Sequence, residues 1–109
     1  MKRGEIWWVD LDPTRGGEIQ KTRPAAILTV DALNRARRTV VVVPLSTSAT
    51  PRPPIVVSVP SAGENAGSVA VCDQVRAVDK TRLVRRTGAL SEADLLVISS
   101  GVRQVLGLG

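Results

Sequence analysis

The chain has no histidine, tyrosine or phenylalanine, and its 109 residues include one cysteine, Cys72. Without histidine there is no Ser-His-Asp triad, no imidazole general base and no imidazole-bound metal. A single cysteine excludes an internal disulfide and a cysteine-rich zinc site; Cys72 reads as a small core hydrophobe. Any chemistry must come from carboxylates, Arg, Lys, hydroxyls and the backbone, and the expectation is no metal and no cofactor. No run reaches the ~18 apolar residues of a membrane span. Met1-Lys2-Arg3-Gly4 leads straight into a strand-like segment without a signal-type stretch. The expected setting is cytoplasmic, with no membrane partner.

What is present suits one small folded domain over residues 1–109. Hydrophobic residues make up 43% of the chain, enough for a core. Net charge is +5, and twelve of the fifteen cations are Arg. Arginine binds phosphate bidentately and stacks on bases, so the balance points to an anionic partner, most simply nucleic acid. A solvated basic surface is the competing account.

Glu5 to Leu11 reads as a strand, followed by turn residues Asp12-Pro13 and Gly16-Gly17. Pro24 to Val30 is a second strand. Asp31 to Arg38 is polar and basic, a turn or a single helical turn. Thr39 to Ser46, rich in β-branched residues, is the strongest strand signal. Thr47 to Pro54 is a loop, Ile55 to Val59 a strand, and Pro60 to Gly67 a loop. Ser68 to Cys72 is a strand that can run on through Val75 and Val78, and Arg85 to Leu90 is a short final strand. The period then changes. Ser91 is an N-cap, Leu95, Ile98, Val102, Val105 and Leu106 recur at three- and four-residue steps, and Gly107 is a C-cap. The fold class is mainly β with a C-terminal helix, an α+β half-barrel. Trp7 and Trp8 are strand neighbours and face opposite ways. One belongs to the core, the other to a subunit interface or a stacked base.

The segment Gly16-Gly17-Glu18-Ile19-Gln20-Lys21-Thr22-Arg23-Pro24 joins the first two strands. It offers a proton acceptor, Glu18, and a permanent cation, Arg23. Such a pair suits RNA scission in which the ribose 2′-OH attacks its own phosphodiester. A carboxylate takes the proton, a guanidinium stabilises the phosphorane, and a hydroxyl such as Ser46 or Thr47 adds a hydrogen bond. By spacing alone, Glu18 and Arg23 also fit an exposed ion pair, and Ser46 and Thr47 fit ordinary strand-end hydroxyls.

The order of motifs resembles the MazF/PemK family of toxin endoribonucleases. Arg3 to Pro13 followed by Gly16 to Pro24 matches the family's opening, and Val43-Pro44-Leu45-Ser46-Thr47 its third-strand motif. Asp73 to Lys80, Arg82-Leu83 and the closing helix match the remainder. The resemblance implies a dimeric SH3-like barrel that cuts single-stranded RNA, mRNA above all, at short sequences without metal. It implies 2′,3′-cyclic phosphate and 5′-OH ends, and a cognate antitoxin whose acidic flexible tail fills the RNA groove. Glu18 and Arg23 fall on the family's acid–base pair. The family's active-site threonine falls on Ser46, with Thr47 directly after it. The loops before Pro24 and after Ser46 line the groove, which makes Gly17, Gln20, Lys21, Thr22, Ser48 and Arg52 RNA-binding candidates. Gln74 and Arg76 lie near it, with structural hydrogen bonding as their other role. A guanidinium hardly releases its proton, so Arg23 is expected to clamp charge rather than act as the acid. Two other classes remain open on the sequence: a non-catalytic gyrase-poisoning toxin of the same fold, and a basic barrel module that binds nucleic acid without cutting it.

Overall fold

Strands that are apolar at successive positions, such as Val40-Val41-Val42-Val43, are explained when both faces of a sheet are covered. The computed structural model describes residues 1–11, 22–62 and 67–109. Its elements are β1 (Glu5–Asp10), β2 (Thr22–Ile27), α1 (Asp31–Ala36), β3 (Thr39–Ser46), β4 (Val56–Ser58), β5 (Val69–Val71), β6 (Arg76–Asp79), β7 (Leu83–Ala89) and α2 (Glu92–Leu106). All pairings are antiparallel, in the order β4-β5-β3-β2-β1-β7, with β6 also on β3.

One face buries Val9, Ala25, Ile27, Val40, Val42 and Val78, with Trp7 and Leu83 packed against them. The other buries Ile6, Ala26, Val43, Leu45 and Ala70 together with Ile98 of α2. On a flat sheet β6 and β1 stand three strand spacings apart, ~14 Å. Yet a three-residue 3-10 turn, Lys80–Arg82, leads from Asp79 to Leu83, which pairs with Val9. At ~2 Å rise per residue such a turn cannot bridge a flat sheet, so the sheet curls into a half-barrel around the first cluster.

The strand read over Ser68 to Cys72 does not run on through Val75 and Val78: it stops at Val71, and a separate strand begins at Arg76. Leu45 pairs with Ala70, whereas Val42 pairs with Arg76, so Val43 and Pro44 face the five residues from Val71 to Val75. A 3-10 turn, Cys72–Gln74, takes up the excess. Pro44 is the physical cause. Val41 directs its N–H and C=O toward the β2 side, to Thr29 Oγ1 (2.6 Å) and Leu28 N (2.8 Å). By alternation, position 44 directs its groups toward the β5–β6 side, where proline has no N–H to donate. The partner leaves the ladder there, and Cys72 turns into the α2 interface, its Sγ 3.7 Å from the Ile98 carbonyl.

Helix α2 has the expected caps. The Asp94 N–H donates to Ser91 Oγ (3.1 Å), and Gly107 sits at φ 68°, the left-handed conformation glycine favours. Leu106 leaves the expected stripe and is 55% exposed. Eight residues at ~100° each place it ~80° round from Ile98, whereas Val105 lies within ~20°. Gly101 is buried instead. Asp94, also buried, accepts hydrogen bonds from the Ser61 N–H (2.9 Å) and hydroxyl, tying the segment after β4 to the helix. The final strand is longer than expected, starting at Leu83, and β2 lies earlier, at Thr22–Ile27.

Candidate active site

Antiparallel pairing decides which polar residues meet. In the β1–β2 ladder Val9 faces Arg23 and Asp10 faces Thr22. The β2–β3 ladder ends at Ala25 opposite Pro44, and its register continued by two residues sets Arg23 level with Ser46. Ser46 in turn pairs with Val69. Arg23 and Ser46 therefore end the same face whose middle is the apolar strip Ala25, Ile27 and Val42. Arg23 is half-buried, Thr22 exposed, and both stand where the 12–21 segment rejoins the sheet. Glu18, Gly17, Gln20 and Lys21 lie outside the described residues.

The strand ends at Ser46 because its side chain captures the next turn. Ser46 Oγ accepts the N–H groups of Ser48 and Ala49, both at 3.2 Å, and shares a hydrogen bond with Ser48 Oγ at 3.2 Å. This is a Ser/Thr turn. Ser46 is only 8% exposed, while Thr47 and Ser48 are exposed. With its lone pairs occupied by two amides, Ser46 is left to donate its own proton, and the Ser48 hydroxyl is the partner that takes it. Of the two roles read from the sequence, these bonds are those of the strand-end turn hydroxyl.

The other candidates are not drawn to the same level. Arg52 is exposed on a tight loop, its N–H donating to the Val56 carbonyl (2.7 Å). Gln74 is exposed on the turn opposite Pro44. Arg76 is exposed and faces Val42, four residues from Ser46, or ~13 Å along β3.

Trp7 and Trp8 do face opposite ways. Trp7 packs against the barrel cluster and donates its indole N–H to Glu5 Oε1 (3.0 Å). Trp8 lies beside Pro24, with the Arg85 guanidinium carbon 5.9 Å from its ring centroid and its own indole nitrogen buried without a partner. Two supporting groups went unread in the sequence. Glu5 bridges the strand start: it accepts the Lys2 N–H (3.0 Å) and pairs with Arg86 (3.1 Å) on β7. Arg82 donates to the Asp10 carbonyl (3.3 Å), bracing the end of β1. Charge was the only sequence signal for either, since their partners are distant in the chain.

Among the described residues three titrating groups are displaced. Partial burial pushes Glu5 up, but the Trp7 and Lys2 donors, the α-amino group and Arg86 outweigh it and hold its carboxyl below the usual range. The Thr81 N–H and hydroxyl hold Asp79 down, helped by Arg38 and Arg82. Burial, aided by Asp73, pushes the Cys72 thiol up to about 11. Among the described residues no group of three or more His, Cys, Asp or Glu side chains is disposed to hold a metal. None of the described helices is long and apolar enough to cross a membrane.

These features define a class: a small antiparallel half-barrel with a helix on one face and a rim bearing a cation and a hydroxyl-rich loop. The chain belongs to the PemK-like, MazF-like toxins of type II toxin–antitoxin systems, whose family model matches residues 2–106. It is 33% identical over 115 residues to endoribonuclease MazF9 of Mycobacterium tuberculosis, covering 99% of this chain and 98% of that protein. It is 30% identical over 105 residues to the endoribonuclease toxin MazF of Escherichia coli K12, covering 95% and 92%. Among solved structures, a mycobacterial endoribonuclease in complex with its cognate antitoxin superposes with TM-score 0.83 at 25% identity, covering 100% of this chain and 97% of that one.

Proposed function

We propose that this protein is the toxin of a toxin–antitoxin pair and a sequence-selective, metal-independent endoribonuclease acting on single-stranded RNA. The observation that carries the proposal is the β2–β3 register, Ala25 opposite Pro44, which continued by two residues sets Arg23, five residues after Glu18 in the chain, level with Ser46. In this reading Glu18 accepts the 2′-OH proton as that oxygen attacks the adjacent phosphorus. Arg23 stabilises the charge gathered on the phosphorane, and the Ser46 hydroxyl donates to one of its oxygens. The P–O5′ bond breaks as the 2′ oxygen bonds, leaving a 2′,3′-cyclic phosphate and a 5′-OH end. Thr22, Ser48 and Arg52, with Gly17, Gln20 and Lys21, contact the flanking RNA, and Gln74 and Arg76 serve more distant nucleotides. Hydrogen bonds rather than aromatic stacking carry base readout, because the two tryptophans are the chain's only aromatic residues.

The same reading has residues 1–109 as a single domain acting in the cytoplasm. It pairs as a homodimer that hides exposed apolar side chains such as Leu96 (69% exposed). An antitoxin with an acidic flexible tail occupies the RNA groove, and the family's pairing with antitoxins supports this partner. The test is incubation of the purified protein with single-stranded RNA in excess EDTA. Cleavage that survives chelation and stops when the scissile 2′-OH is replaced by hydrogen is the expected result. Cleavage of the 2′-deoxy substrate, or none without metal, contradicts the mechanism.

A further inference from the structure

The end of the curled face away from Ser46 carries like charges in register. Thr39 pairs with Asp79 and Val40 with Val78; one step beyond, Arg38 faces Lys80, and the Lys80 N–H donates to the Arg38 carbonyl (2.9 Å). Like charges directly opposite on paired strands repel. Arg82 joins them through the turn, and Arg38 and Arg82 both act on one carboxylate, Asp79, which already accepts the Thr81 N–H (2.9 Å) and hydroxyl (2.8 Å). Among the described residues no ion pair within 4 Å engages Arg38 or Lys80. A chain that folds two cations face to face without a full complement of carboxylates leaves a place for an anion from outside.

The patch is continuous with the candidate site. Arg82 reaches the carbonyl of Asp10, and Asp10 is the cross-strand neighbour of Thr22, which precedes Arg23. A strand of RNA leaving the Arg23–Ser46 level over the end of β1 meets Arg82 first and then the Arg38–Lys80 pair. We propose that Arg38, Lys80 and Arg82 form a second phosphate-binding patch that holds single-stranded RNA beyond the scissile linkage. The proposal rests on the endoribonuclease reading. It adds that affinity depends on RNA length as well as on the bases at the cut, because each neutralised phosphate releases condensed counterions.

The test joins Arg38→Gln and Lys80→Gln in one protein and leaves Arg82 to brace Asp10. Binding is measured in a Glu18→Gln background, which keeps the RNA intact, with a short oligouridylate that fills only the groove and with a long polyuridylate. The expected result is binding to the long RNA weakened about tenfold, with the slope of log K against log salt reduced by ~1.4, that is ~0.7 for each of two phosphates. Short-RNA binding and the melting temperature hold, or melting rises as the repulsion is relieved. Unchanged long-RNA binding, equal loss on both RNAs, or lost affinity only for an acidic polypeptide such as polyglutamate overturns the patch. If the unaltered protein neither binds nor cuts either RNA, the endoribonuclease reading fails and the patch falls with it.

Discussion

Ser46 and Arg23 show how much a single side chain can be asked to do. Ser46 Oγ ends β3, closes the following turn with two amides and shares a third hydrogen bond with Ser48 Oγ. Its removal has two separable effects. Ser46→Ala is expected to lose about 1–2 kcal/mol of stability through the two orphaned amides, and roughly 100-fold in cleavage rate through the lost donor. Thr47→Ala, at an exposed position, should stay within a few-fold of the parent on both counts. The reverse pattern, measured by urea denaturation and single-turnover cleavage, moves the active hydroxyl to Thr47. Arg23 permits a matching test of geometry. If its planar fork grips two phosphorane oxygens, Arg23→Lys keeps the charge but loses 100- to 1000-fold in rate. Near-parental cleavage by the lysine variant would mean that a point charge is enough. By spacing alone the Glu18–Arg23 pair fits an exposed ion pair as well as a reacting one; its place in the family's order of motifs is what marks it out in the sequence. The sequence leaves Ser46 and Thr47 both open as the accompanying hydroxyl, since each offers the same donor at a strand end; the turn bonds of Ser46 belong to the fold.

At the scale of elements, the largest departure from the expected layout is the break between β5 and β6. The pattern from Ser68 to Cys72 reads as a strand that can run on through Val75 and Val78, and the polar pair Asp73-Gln74 alone does not decide for a turn. The cause sits on another strand, in the missing N–H of Pro44, so no local reading of the segment finds it. The consequence is the seat of α2. Residue 101 shows it: a Cβ there would come within 2.6 Å of the Pro54 carbonyl oxygen and 2.7 Å of Cys72 Sγ. Helix propensity alone predicts that Gly101→Ala stabilises the helix by up to ~1 kcal/mol. The packing predicts the opposite sign, a loss of about 1–3 kcal/mol from overpacking against backbone. A lowered urea midpoint supports the close seating, whereas a raised one means the helix stands off the sheet. The caps of α2 were legible from Ser91 and Gly107, because capping is local chemistry. Leu106 was misplaced because a heptad-like count tolerates an 80° error that the sheet does not.

For the molecule as a whole, the absence of histidine predicts a flat stability profile from about pH 5 to 8, where no side chain with an ordinary pKa titrates. Below that range the profile should bend. Glu5 and Asp79 are held below their usual values when folded, so they bind protons more readily when unfolded. Their contribution is complete above the unfolded values near 4 and is lost as pH falls through the lower folded values. Thermal melting across this range checks it: the acid limb should be shallower in Glu5→Gln and Asp79→Asn than in the parent. An identical limb in both variants would place acid sensitivity elsewhere.

The linear order of residues was enough to establish the family resemblance, the strand-rich body, the capped final helix and the acid-plus-cation segment. Each depends on neighbours in the chain or on a fixed local period. Only the folded sheet decided the β2–β3 register that points Arg23 toward Ser46, that Pro44 breaks a strand it does not belong to, and that Arg38 faces Lys80. Register between strands sums weak contacts over the whole ladder and both buried faces, so no short window of residues contains it.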